Sequence, residues 1–249
     1  MDAAVDDRDP GAPVPGWTPP PRPDWSVREG RLARLERLDP DRHGAELFAA
    51  NRASDAIWDY MPYGPFDRRD AYVDWLGWAA GQDDPRFYAI RDRGTGRTAG
   101  VASYLRIAPE AGSIEVGHIA LSPALQRNPA ATEAMALMMG WAFSAGYRRY
   151  EWKCNALNCA SRRAAERLGL SYEGVFRQAA VIKGRNRDTA WFAAIDAEWP
   201  ALRAAFDTWL DPANFDAQGR QRRRLSDLTR PILVARDPAS AAETSPVRA

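Results

Sequence analysis

The sequence predicts an α/β protein, a mixed and mostly antiparallel sheet with helices packed against it. Three observations carry that prediction. Residues 114–121 form a short apolar run rich in β-branched side chains, stopped by Ser122-Pro123, and a helical pattern follows soon after. Residues 87–91 and 99–107 are apolar runs around the turn Asp92-Arg93-Gly94-Thr95-Gly96, and residues 174–183 and 188–195 make a second pair around Gly184-Arg185-Asn186. Two antiparallel hairpins therefore flank the central strand.

Taken in order, residues 1–29 hold Pro10, Pro13, Pro15, Pro19, Pro20, Pro21 and Pro23 with almost no apolar periodicity, which reads as an extended or disordered arm that Trp17 and Trp25 could pin to the body. Residues 31–38 alternate as a first strand. Asp39 caps a helix that begins at Pro40 and runs to about Asn51. Residues 57–66 are dense in aromatics and broken by Pro62, Gly64 and Pro65. Residues 69–80 carry Tyr72, Trp75, Leu76 and Ala79 at helical spacing. After the central strand, Pro129 occupies a first helical position. Met135, Met138, Met139 and Ala142 share one face, while Ala134, Leu137 and Trp141 make the rest apolar, so this helix is expected to be buried on most sides. Residues 150–154 are a short strand. Asn158 opens a helix with Ser161, Ala164, Ala165 and Leu168 inward; Arg162, Arg163, Glu166 and Arg167 are expected on its solvent side, and Gly169 ends it. Trp199, Leu202, Ala205, Phe206 and Trp209 mark a last helix over 198–210. The chain thus divides into an arm (1–29), a main domain (30–199), and a C-terminal helix with a polar tail (200–249). The basic cluster 219–224 lacks interleaved aromatics and reads as solvated.

The polar turn Gln126-Arg127-Asn128 leads from the central strand into the helix at Pro129. Backbone N–H groups at a helix start lack intrahelical partners, and together with the helix dipole they suit an anion such as phosphate. Gln126-Arg127-Asn128-Pro129-Ala130-Ala131 resembles the Q/R-x-x-G-x-G/A loop with which GNAT-superfamily acyltransferases hold the pyrophosphate of acetyl-CoA. Residues 115–121 resemble that family's fourth strand. Asn158-x-x-Ser161, Arg167-Leu168-Gly169-Leu170 and Glu173-Gly174 resemble a block of its RimJ/RimL-like branch. The resemblance spans residues 31–199. Pro129 departs from it, standing where the loop has its first glycine.

What the resemblance implies is a sheet splayed between its fourth and fifth strands, with acetyl-CoA in the splay. It further implies N-acetylation of a primary amine, foremost a protein or peptide N-terminal amine. The N–H groups of Arg127, Asn128, Ala130 and Ala131, with Gln126 and the Thr132 hydroxyl, would hold the pyrophosphate. Backbone near Ile119 and Leu121 would polarise the thioester, and Asn155 and Asn158 would hold the pantetheine arm or cap the helix. Alternatives are a small amine (an amino acid, a polyamine or an aminoglycoside-type antibiotic) as acceptor, or a CoA-binding module without turnover.

Transfer to an amine needs a base, an oxyanion donor and an acid. Glu115 is the candidate base, or else a strand-end ion-pair partner of an arginine. Period-two alternation puts Glu115, Gly117, Ile119 and Leu121 on one face, and Val116, His118 and Ala120 on the other. His118, on the opposite face, reads first as a satisfied core histidine and otherwise as the reserve base, with a pKa suited to neutral pH. Ser161 is the candidate acid, since the tyrosine that many of these enzymes carry is replaced here by Ala165. Trp58, Tyr60, Tyr63 and Phe66 are expected to wall the acceptor site with His118, or else to be a packed cover.

At 45% apolar and 27% charged residues, with a net charge of +1, the composition is that of a soluble globular chain and gives no general pull toward nucleic acid or membrane. Basic residues are nearly all arginine, Lys153 and Lys183 being the two lysines. No apolar run approaches the ~20 residues of a membrane span, and the N-terminus lacks a signal-peptide core, so the expected location is the cytoplasm. Cys154 and Cys159 do not fit metal or redox spacing and read as reduced thiols. No metal is expected, and a homodimer is left open.

Overall fold

The computed structural model describes residues 11–239. Eight strands form one sheet: β1 (Arg28–Glu29), β2 (Ala33–Arg37), β3 (Arg86–Asp92), β4 (Arg97–Ala108), β5 (Ser113–Leu121), β6 (Arg149–Asn155), β7 (Ser171–Ile182) and β8 (Arg185–Ile195), in the order β1-β2-β3-β4-β5-β6-β8-β7. Every neighbouring pair is antiparallel except β5 with β6. The mixed, mostly antiparallel α/β architecture is therefore the one expected. Strand β1, two residues long, was hidden in the proline-rich arm.

The β5–β6 pairing covers only Ser113–Val116 against Arg149–Trp152. Beyond it β5 continues to Leu121 and β6 to Asn155 without touching, so the sheet opens into a gap. Six helices flank it: α1 (Pro40–Asn51), α2 (Arg69–Ala80), α3 (Pro129–Ser144), α4 (Cys159–Arg167), α5 (Trp199–Leu210) and α6 (Leu225–Thr229). One core, on the α1–α2 face, gathers Leu47, Trp58, Tyr72, Leu76, Phe87 and Val101. The other, larger core holds α3 and α5 against Tyr88, Tyr104, Val116, Trp152 and Phe192. Helix α3 is buried on most sides, as its all-round apolar sequence requires.

The caps fall where the side chains predict them. Asp39 Oδ1 accepts from the N–H of Asp41 and Arg42 at 2.9 and 3.2 Å, and Asn158 Oδ1 from Ser161 N–H at 3.0 Å. Gly169 stops α4 with φ +89°, and an added Cβ there would lie 2.2 Å from Leu202 Cδ2.

The described part of the arm is extended and docked through Trp25, one of the two tryptophans expected to be able to pin it, whereas the C-terminal tail differs from expectation. Trp25 packs on Tyr88 at 5.6 Å between ring centroids, and Arg28, only 8% exposed, lies over Tyr88 and Trp141. Residues 1–10 lie outside the described residues. The expected polar tail folds back onto α4 and α5, burying Leu225, Thr229 and Asp237 completely. Arg162 and Glu166, assigned to the solvent side of α4, are consequently buried, Arg162 in a two-bond ion pair with Asp237 at 2.6 and 2.7 Å. Leu225 joins the larger core with Leu228 and Ile232 against it, and paired charges complete the cover; so short an apolar pattern among charged residues did not announce a helix. Residues 240–249 lie outside the described residues.

Candidate active site

Glu115 and His118 both lie on β5, the strand that borders the opening, and two β-bulges decide how they face. Gly117 pairs with Ser103 while Ala120 pairs with Val101, so β5 carries one extra residue at His118–Ile119, where His118 takes φ +50°. On the other strand, Glu115 pairs with Leu105 and Ser113 with Ala108, so β4 carries an extra residue at Arg106, with φ +45°. The Asp84 carboxylate pins that second bulge by accepting from the N–H groups of Arg106 and Ile107 at 2.9 and 3.0 Å.

The first bulge corrects the simple alternation. It brings His118 to the α1–α2 face, against Phe87 and Tyr63, the same face as Glu115, and returns Ile119 and Leu121 to the α3 face. Strict alternation fails because one inserted residue reverses every side chain after it.

Glu115 is 3% exposed. Its Oε2 accepts from Arg106 at 2.7 Å and from Lys153 Nζ at 3.0 Å. Burial pushes the Glu115 carboxyl above the usual carboxylate range, and Arg106 and Lys153 pull it back. Lys153 also meets Glu151 at 2.7 Å and lies 3.6 Å over the Trp191 ring. His118 Nδ1 lies 3.0 Å from the Tyr63 hydroxyl, and desolvation lowers the imidazole pKa to about 4, so it is neutral at pH 7.

Ser161 lies on the opposite face, beside Trp152 and Cys154. Its Oγ accepts from Trp152 Nε1 at 3.0 Å. Burial pushes the Cys154 thiol up, with a bond from Ser161 opposing; Cys154 and Cys159 are both free. Glu115 and Ser161 are thus separated by the sheet and share only its opening.

The aromatic segment divides. Trp58 is 3% exposed and meets Phe66, Tyr72 and Trp75 edge-on, so Trp58 is core and half-buried Phe66 packs against it. Tyr63 reaches His118, and Tyr60 Oη donates to the Leu157 carbonyl at 3.2 Å. Lys183 Nζ donates to the Trp58 carbonyl at 2.9 Å. These two bonds tie the segment to the β6–α4 loop and to the β7–β8 turn, roofing the Glu115 side.

At the start of α3 the expected donors are engaged locally. Asn128 N–H donates to the Leu125 carbonyl, Ala130 N–H to Asn128 Oδ1 at 2.9 Å, and Ala131 N–H to the Asn128 carbonyl at 3.1 Å. Gln126 Nε2 donates to the Leu121 carbonyl at 2.9 Å, and Arg127 takes φ +56°. Asn155 Oδ1 accepts from Leu157 N–H at 2.9 Å. Thr132 Oγ1 accepts from Arg167 at 3.1 Å, and that guanidinium, depressed by burial, lies 4.9 Å over Trp209.

Sequence reasoning missed Arg106, Lys153, Glu151, Arg167, Arg187 and Trp191. A signal existed for one of them: both lysines of an otherwise arginine-rich chain touch this site. Among the described residues no group of three or more His, Cys, Asp or Glu side chains could hold a metal ion, and no helix is long and apolar enough to cross a membrane.

Residues 33–171 match the family model described as an acetyltransferase (GNAT) domain. No curated protein matches the sequence. Among solved structures, the chain is similar to a GCN5-related N-acetyltransferase from Brucella melitensis, with 46% identity over 87% of this chain and 100% of that one and a TM-score of 0.85. It is also similar to a probable acetyltransferase of the GNAT family from Chromobacterium violaceum ATCC 12472, at 40% identity over 78% and 98% of the two chains, TM-score 0.73. A Salmonella typhimurium acetyl transferase described as modifying the N-terminal serine of ribosomal protein L7/L12 shares the fold at 20% identity, over 68% and 99% of the chains, TM-score 0.58.

Proposed function

The chain belongs to the GNAT acetyltransferase family, and on that premise we propose that it moves an acetyl group from acetyl-CoA to a primary amine, a protein or peptide N-terminal amine being the first acceptor to try and a small amine the second. The observation that carries this reading is the opening between β5 and β6, with a buried carboxylate on one face and a hydroxyl on the other.

Acetyl-CoA would supply the acyl group as an activated thioester. The α3 start and its surroundings fit an anionic cofactor. Arg127, Ala130, Ala131 and Thr132 lie at the positive end of the helix, and the partly desolvated Arg167 stands beside Thr132. Asn128 would have to yield the N–H groups that it now holds, with Gln126, Asn155 and Asn158 shaping the approach. Pro129 offers no N–H. The β5 backbone from Gly117 through Ile119 to Leu121 has no β6 partner and is free to polarise a carbonyl oxygen.

On the acceptor side Glu115 takes the proton that the amine must lose. Desolvation makes its carboxylate a stronger base than one in water, while Arg106 and Lys153 oppose that shift by favouring the ionised form. Neutral His118, oriented by Tyr63, accepts a hydrogen bond from the incoming amine, while Trp58, Tyr60 and Phe66 support the wall. Ser161, whose oxygen already accepts from Trp152, would turn its own proton from Cys154 to the departing sulfur.

The ion pairing of Glu115 also favours a second reading, a CoA-binding module without turnover. Release of CoA thiol in the presence of free amines and peptides decides between them. Turnover that falls ~10²–10⁴-fold in Glu115→Gln supports acetyl transfer. Stabilisation by CoA without any release supports the module, and no thermal response to millimolar CoA refutes both.

A further inference from the structure

On the Glu115 face, the carboxylates of Glu115, Glu151 and Glu173 are met by Arg106, Lys153 and Arg149 at 2.5–3.0 Å. Arg187 is a fourth cation with no such match. It precedes Thr189 by two positions on β8, and Thr189 in turn precedes Trp191, so the pleat puts Arg187 on the face of the sheet that carries Trp191 and Lys153. Thr189 pairs with Asn155 at the end of β6. Arg187 therefore stands where β6 has run out, beside the opening. Its side chain is half-buried, and among the described residues it has no carboxylate, carbonyl or ring as partner. Glu115 and Arg106 both lie within its electrostatic reach, and burial holds its guanidinium below the ordinary arginine range.

We propose that Arg187 binds an anionic group of the acceptor, so that the amine to be acetylated belongs to a molecule with a carboxylate close by. The proposal rests on the acetyl-transfer reading above. A cation stripped of part of its water and left unmatched is costly, and a bound carboxylate removes that cost. The guanidinium presents paired N–H donors that fit a carboxylate. With Arg106 and Lys153 matched by Glu115 and Glu151, the charge left over is that of Arg187, which disfavours a second ammonium and so disfavours polyamines and aminoglycosides as acceptors. The carboxylate could be that of a free α-amino acid or an acidic side chain at the start of a peptide.

The test uses the full chain and matched acceptors: α-amino acids against their amides, and peptides beginning with Asp or Glu against those beginning with Asn or Gln. CoA-dependent thermal stabilisation is measured first, which checks cofactor binding separately. The expected result is a kcat/KM about tenfold or more higher for the acid of one pair type, and that pair type identifies the source of the carboxylate. Arg187→Ala should bring the acid-to-amide ratio toward one, Arg187→Lys should restore part of it, and KM for acetyl-CoA should stay within about twofold. The N-acetylated acids, used as product ligands on the CoA-bound protein, should stabilise it more than the N-acetylated amides. Equal treatment of acids and amides in both assays, including no response to either while CoA binds, overturns the proposal. So does an Arg187→Ala effect confined to KM for acetyl-CoA.

Discussion

His118 is held at φ +50°, stacked on Tyr63 and joined to its hydroxyl, in a setting that keeps the ring neutral. An unfolded imidazole binds a proton near pH 6.5, whereas this one does so only at about 4. Between those values the unfolded chain carries more protons, so stability falls as the pH drops from 6.5 to 4. The shift corresponds to stabilisation on the order of 3 kcal/mol, present above pH 6.5 and gone below 4. His118→Gln should therefore flatten the pH dependence of denaturant unfolding across that window. Burial also depresses buried His43, which leaves a residual slope. An unaltered slope in the variant would mean that His118 is not the neutral buried ring described. Residue types at the site were legible from the sequence. Their facing was not, because an inserted residue in a strand leaves no mark on composition.

At the scale of elements, the segment between α1 and α2 fills the core with Trp58 and reaches His118 with Tyr63. Trp58 fills the α1–α2 core, so Trp58→Ala should cost about 3–5 kcal/mol in denaturant unfolding. Tyr63→Phe keeps the ring and removes only the bond to His118, so it should cost about 0.5–1.5 kcal/mol and act mainly on KM for the acceptor. Equal destabilisation by both changes, with acceptor kinetics untouched, would make the segment a cover alone. Its aromatic density was visible in the sequence, but Pro62, Gly64 and Pro65 remove any period from which inward and outward rings could be told apart. The regular elements were legible for the opposite reason. In α3 and α5 the apolar spacing is the packing, and Asp39 and Asn158 are their helices' caps.

For the molecule as a whole, the C-terminal return matters most. Asp237 is fully buried on Arg162, and Arg236 meets Glu166 at 3.2 Å, so the last described residues fasten α4 from outside. Asp237→Ala leaves a buried guanidinium without its carboxylate and should cost about 3–5 kcal/mol, read as a lower melting temperature. A variant as stable as the parent would mean that the return contributes nothing to the fold. The return escaped sequence reading because its apolar positions, Leu225, Leu228 and Ile232, are few and set among charged residues, and ion pairs complete the cover. The opening between β5 and β6 has a kinetic corollary. With Glu115 on one side of the sheet and Ser161 on the other, two substrates can approach from opposite directions, and neither needs to leave before the other arrives. No side chain has to carry the acyl group in between. Initial-rate lines at several fixed donor concentrations should therefore intersect instead of running parallel, and either substrate should be able to add first.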